Sequence, residues 1–126
     1  MNIHEINAPD APAANGYAQA MVVPGPARVL FISGQIPADR AGAVPAGFEA
    51  QARQCWANLF AQLRAGGMSP DDLVKVTVYL TDASFVPANR LIRAEMLAGK
   101  HVALTTVIAG VVDDSWLLEI EAVAAA

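Results

Sequence analysis

Residues 73–80 have the sequence LVKVTVYL, and their side chains alternate with the two-residue period of a β-strand. One face of this strand would carry Val74, Val76, Val78 and Leu80, and the other Leu73, Lys75, Thr77 and Tyr79. The first face is wholly apolar and the second is mixed. The stretch is therefore the most clearly predicted strand in the chain.

A pattern of helical spacing lies on each side of this strand. Before it, apolar residues recur at intervals of three and four, at Phe48, Ala52, Cys55, Leu59 and Leu63, and Gly66-Gly67 ends the pattern. After it, Asp82 or Ser84 can cap a second helix that tolerates Pro87 in its first turn. The stripe of that helix consists of Phe85, Asn89, Ile92 and Met96, and Gly99 closes it. The sequence thus predicts two helices flanking the strand.

Four further segments have strand character. Arg28–Ser33 (RVLFIS) predicts a strand packed on both faces, joined in a hairpin to a strand at Tyr17–Val23 through the turn Pro24-Gly25-Pro26. The first sixteen residues predict an extended arm that ends in a turn. Leu104–Ile108 and Leu117–Val123 complete the order β-β-α-β-α-β-β.

This order predicts a single α+β domain over residues 1–126, in which two helices cover one face of a five-stranded sheet. The other face would need a partner, because the strands carry apolar residues on both sides. The composition supports this expectation, since 55% of the residues are hydrophobic and only 16% are charged, which is an apolar balance for a small protein. We therefore expect a subunit interface on the second face.

Charge and composition exclude several classes of function. The net charge of −4, with eight scattered basic residues, argues against binding to nucleic acid. The two histidines and one cysteine lack the spacing of metal ligands, so we predict no metal site. The sequence also lacks a glycine-rich phosphate-binding loop, so we expect no cofactor. The single cysteine, Cys55, excludes an intramolecular disulfide and falls on the apolar stripe of the first helix. We expect a cytoplasmic protein, with no leader segment and no association with a membrane.

The segment Ser33-Gly34-Gln35-Ile36-Pro37 permits two interpretations. In the first, it only terminates a strand, with Gly34 supplying an unusual backbone conformation and Gln35 bonding a loop. In the second, its exposed backbone amides contact a ligand. The residues alone leave both open.

Several segments, in order, resemble the RidA/YjgF family over nearly the whole chain. They are Tyr17-Ala18-Gln19-Ala20, Ser33–Pro37, Gln51–Gln54 with Asn58, Val74–Leu80, the set Asp82, Phe85 and Asn89, and Glu119–Ala124. The resemblance implies a chorismate-mutase-like fold that forms a homotrimer, with the sheets closed into a central barrel and small-molecule clefts between neighbouring subunits. It also implies hydrolysis of reactive enamines and imines derived from amino acids, yielding a keto acid and ammonia without a cofactor.

The resemblance also implies site residues. Glu121 falls where the family keeps the acid that positions the attacking water, which makes it the candidate catalytic residue. Candidate substrate-binding residues are Tyr17, Ser33, Gly34, Gln35, Asn89, Leu104 and Thr106. Leu104 stands where the family has the arginine that grips the substrate carboxylate, and Thr106 stands at a frequent cysteine position. A leucine cannot bind a carboxylate, so we expect altered specificity.

Three functions stay open at this stage. The first is a Rid-family protein with a small, less acidic or differently anchored ligand, with or without hydrolysis. The second is a non-catalytic module that binds or senses a metabolite, and the third is a ribonuclease, which the acidic balance disfavours. Arg90, Arg93 or His101 can supply a substitute positive charge, or can be ordinary solvated side chains.

Overall fold

The computed structural model describes residues 2–25 and 27–126, and it confirms an α+β fold with two helices packed on a sheet. Its elements are β1 (His4–Ile6), β2 (Ala20–Val22), β3 (Val29–Gln35), α1 (Phe48–Ala65), β4 (Leu73–Leu80), α2 (Val86–Met96), β5 (Ala103–Ile108) and β6 (Leu118–Ala125). Single turns of 3-10 helix, Pro70–Asp72 and Ala83–Phe85, precede β4 and α2. Both predicted helices are present.

The main sheet has four strands in the order β3-β6-β4-β5. β6 pairs antiparallel with both β3 and β4, whereas β4 and β5 are parallel and are joined through α2. Five strands were expected in this sheet. In place of a fifth strand, a single parallel bridge joins Ala18 to Ala103 at the outer edge of β5.

The core lies between the helices and one face of the sheet. Trp56, Leu59 and Leu63 of α1 are fully buried, as are Val76 of β4 and Ile120 of β6. Burial alternates along β4 and β6 as the two-residue period requires, so every second side chain faces away from the helices. The predicted strand Leu73–Leu80 is confirmed, and its alternation fixes which residues face the core.

The predicted hairpin is wrong. Only Ala20–Val22 of the expected first strand is extended, and it pairs antiparallel with β1 in a separate two-stranded sheet. Ala18 bridges to the β5 edge, whereas β3 lies at the opposite edge, so this segment cannot reach β3. Residue Pro26 of the predicted turn lies outside the described residues.

The expectation that β3 is packed on both faces is also wrong for one chain. Only Ile32 is buried, while Phe31 is 78% exposed and Val29 is 49% exposed. In addition, Ser33, Gly34 and Gln35 do not form a turn, since β3 continues through them with a bulge between Ile32 and Gln35. One sheet face is therefore left uncovered at β3.

The N-terminal arm is held at a few points. The backbone N–H of Ala18 donates to the carbonyl of Val102 at 2.9 Å, and the Glu5 carboxylate lies 3.3 Å from Nδ1 of His101. These contacts hold residues 13–17 next to β5. The arm thus becomes one wall of a cleft.

We predict that Leu59→Ala destabilises the protein by about 2–5 kcal/mol, because it leaves a cavity under the sheet. Urea unfolding at one fixed protein concentration measures the change. The control is Leu91→Ala on α2, where the side chain is 75% exposed and the expected change is within about 0.5 kcal/mol. Equal losses in the two variants would contradict this description of the core.

Candidate functional site

A cleft of about 690 Å³ opens between the arm, α2 and β5, and we call it the α2–β5 cleft. Three elements line it, with Tyr17 from the arm, Asn89, Arg90 and Arg93 from α2, and Leu104 and Thr106 from β5. Four predicted substrate-binding residues, Tyr17, Asn89, Leu104 and Thr106, therefore lie together. The volume suits a small molecule.

Local geometry explains this convergence. Leu104 and Thr106 are two residues apart on β5 and therefore share a face. Asn89 and Arg93 are four residues apart on α2 and lie one above the other along the helix. Tyr17 is brought beside them because the adjacent residue Ala18 bridges to Ala103. Three separate elements thus meet at one cavity.

The buried polar groups of the cleft belong to α2. Asn89 is 2% exposed and Arg93 is 9% exposed. Within residues 2–25 and 27–126, no carboxylate lies within ion-pair distance of Arg93. Burial lowers the pKa of Arg93, the neighbouring charge of Arg90 lowers this pKa further, and Tyr17 acts in the opposite direction.

The interpretation of Arg93 as a solvated side chain is therefore wrong, although Arg90 is exposed. His101 lies away from the cleft, where it contacts Glu5. The signal that locates Arg93 in the sequence is its position one helical turn after Asn89. The arm passes close to this side chain, since a methyl group at Gly16 would lie 3.7 Å from its guanidinium.

Glu121 lies on the other side of the sheet. It shares a groove of about 380 Å³ with Ser33, Lys75 and Thr77, and we call this the open-face groove. The Tyr79 hydroxyl donates to Oε1 of Glu121 at 2.6 Å, and this hydrogen bond raises the pKa of Tyr79. Within one chain, Glu121 and Ser33 are thus separated from the α2–β5 cleft.

Gly34 and Gln35 have structural contacts near the open-face groove. A Cβ atom on Gly34 would lie 2.0 Å from Oε1 of Glu119, so a larger residue here would require the Glu119 side chain to move. A positive φ angle, which the strand-termination interpretation assumed, does not occur there. Gln35 donates to the Ser33 carbonyl at 2.8 Å and accepts from Gln62 of α1 at 3.3 Å, so it bonds its own strand and a helix rather than a loop.

Among residues 2–25 and 27–126, no group of three or more His, Cys, Asp or Glu side chains is arranged to hold a metal ion. In the same ranges, no helix has the length and apolar character that crossing a bilayer requires. The groups available to a ligand in the α2–β5 cleft are guanidinium, amide, hydroxyl and hydrocarbon.

The fold defines an α+β protein of the RidA type, with two helices on one sheet face and a cleft beside the edge strand. The chain belongs to the family described as Endoribonuclease L-PSP, whose model matches residues 6–126. Relatives in this family carry the names RutC and Rid, which confirms the resemblance to RidA/YjgF.

Individual relatives agree with this assignment. A RutC family protein of Aquifex aeolicus is 42% identical over 82 residues, covering 64% of this chain and 63% of the relative. The 2-iminobutanoate/2-iminopropanoate deaminase of Escherichia coli is 41% identical over 75 residues, covering 58% of this chain and 56% of the relative. This chain thus spans less than two thirds of either curated relative. The crystal structure of the Rid family protein YyfB of Yersinia pestis has a TM-score of 0.89 and 26% identity, with full coverage of both chains.

We predict that Cys55 does not react with a thiol reagent such as DTNB at pH 8 while the protein is folded. Its side chain is fully buried, and burial raises its pKa to about 12, so the reactive thiolate is scarce. The same assay in concentrated urea is the control, in which one thiol per chain reacts. Rapid reaction of the folded protein would contradict the assignment of Cys55 to the core.

Proposed function

We propose that this Rid-family protein binds a small metabolite in the α2–β5 cleft and hydrolyses a reactive enamine or imine to a carbonyl compound and ammonia. The observation that carries the proposal is the convergence of Tyr17, Asn89, Leu104 and Thr106 on one cavity. The Escherichia coli relative, named as an imine deaminase, supports the reaction type. We further propose that the chain acts as one domain, without a cofactor, in the cytoplasm.

The chemistry assigns a task to Glu121. Protonation of an imine nitrogen makes the adjacent carbon electrophilic, and a water molecule then adds to that carbon. A carboxylate can orient the water and accept its proton, after which the tetrahedral intermediate expels ammonia. Glu121 suits this task because Tyr79 holds its carboxylate in one position.

Glu121 and the α2–β5 cleft lie on opposite sides of the sheet in one chain, so they can form a single site only if two subunits contribute to it. Glu121 lies on the sheet face opposite to the helices, and Phe31 on the same uncovered side is 78% exposed. An exposed aromatic beside half-buried polar groups is typical of a subunit interface. We propose a homotrimer in which the Glu121 face of one subunit meets the α2–β5 cleft of its neighbour.

Light scattering tests the assembly. We expect a mass three times the 13.2 kDa of one chain. Phe31→Asp places a charge in the proposed interface and is expected to lower this mass, because a buried charge without a partner is strongly unfavourable. Val112→Asp, at a residue that is 91% exposed, is the matched control and should leave the trimer intact. A monomeric wild-type protein would refute the shared site.

The catalytic test measures 2-oxobutanoate formation from 2-iminobutanoate that a separate dehydratase generates from threonine. We expect acceleration above the spontaneous rate, and Glu121→Gln should reduce it by about 10²-fold or more, since an amide cannot accept the proton. Glu49→Gln, an exposed carboxylate on α1, is the control and should retain the rate.

Two other outcomes identify the alternatives. Saturable stabilisation by a ligand without any turnover would favour a metabolite-binding or regulatory module. The name of the family, Endoribonuclease L-PSP, keeps ribonuclease activity as a further candidate. Salt-sensitive RNA binding would support that candidate, whereas absent or salt-insensitive binding would remove it.

A further inference from the structure

The Arg93 side chain is largely buried and has no counterion in the described chain. It is 9% exposed, and no carboxylate of residues 2–25 or 27–126 lies within 4.0 Å of it. A buried charge is strongly unfavourable unless another group compensates it. The guanidinium nitrogens still face the space of the cleft, since none of them is a buried atom without a hydrogen-bond partner. Within one chain, Arg93 therefore faces the cleft without an anionic partner.

The whole cleft has the same electrostatic character. Two arginines and no acidic side chain occur among the described residues that line it, although the chain has a net charge of −4. Arg90 adds positive potential but is exposed, so water screens its charge. Next to Arg93, the buried Asn89 offers amide N–H donors to the same space. The positive charge is thus concentrated on the α2 side.

We propose that Arg93 binds the carboxylate of the ligand, with Asn89 as a second donor, so that the α2–β5 cleft takes small monocarboxylates. The inference deepens the proposed function by naming the ligand class and the anchoring residue. The guanidinium lies on the α2 wall, whereas position 104 on the β5 wall holds leucine. The ligand is therefore oriented with its carboxylate toward α2 and its apolar substituent against Leu104 and Ile108.

A binding experiment on the full chain tests the anchor. The probes are 2-oxobutanoate and its neutral analogue 2-oxobutanamide, titrated by calorimetry into wild-type protein and into two variants. We expect wild type to bind the anion at least about tenfold more tightly than the amide, because a guanidinium forms charge-assisted hydrogen bonds to a carboxylate. Arg93→Gln should abolish this preference, whereas Arg64→Gln, an exposed arginine of α1, should keep it. An unchanged preference in Arg93→Gln would overturn the proposal.

A second variant separates anion binding from a structural role. Arg93→Met retains the aliphatic stem and removes the uncompensated charge, so its melting temperature without ligand should equal or exceed that of wild type. Stabilisation of wild type by 2-oxobutanoate should be lost in this variant. A lower melting temperature, or loss of the oligomer, would show that Arg93 serves the structure and would overturn the proposal.

The outcomes distinguish this inference from the proposed reaction. Arg93-dependent binding of 2-oxobutanoate without imine hydrolysis supports the anchor and removes the catalytic proposal. Imine hydrolysis with an unchanged KM in Arg93→Gln supports the reaction and refutes the anchor.

Discussion

The two-residue period of β4 and β6 is the constraint on which the structure depends. At one level of the sheet Val76 faces Ala122 toward the helices, and at the next Thr77 faces Glu121 on the other side. A strand side chain cannot change faces without a shift of register that would expose the core. The position of Glu121 is therefore fixed by the same pattern that buries Val76 and Ile120.

The same constraint determines on which face of the sheet each candidate site residue lies. Leu104 and Thr106 lie on the helix side of β5, at the edge of the sheet, where the arm and α2 leave a cavity. The α2 wall of this cavity carries the polar side chains of Asn89, Arg90 and Arg93. The cleft thus combines a hydrocarbon wall with a cationic one, while the proposed acid lies across the sheet.

The sequence predicted the features that depend on local periodicity. The β4 strand, the α1 stripe from Phe48 to Leu63 and the shared face of Leu104 and Thr106 all follow from spacing. Strand partners did not follow, because Ala18 pairs at the edge opposite to β3.

The periodicity of the sequence also could not predict contacts between segments that are distant in the chain. Gly34 lies against the Glu119 side chain of another strand, and Gly16 of the arm lies near the guanidinium of Arg93. These contacts bring together residues far apart in the chain, which periodicity cannot align.

The attachment of the arm has a kinetic consequence for the cleft. Asn89 and Leu104 belong to elements joined to the core, whereas the wall formed by Tyr17 is held through the Ala18 bridge and the surface contact between Glu5 and His101. Local opening requires the least free energy where the fewest buried contacts are broken. Residues 13–17 should therefore separate from the cleft more often than α2 or β5 separates from the core, and the width of the cleft should fluctuate with this motion of the arm.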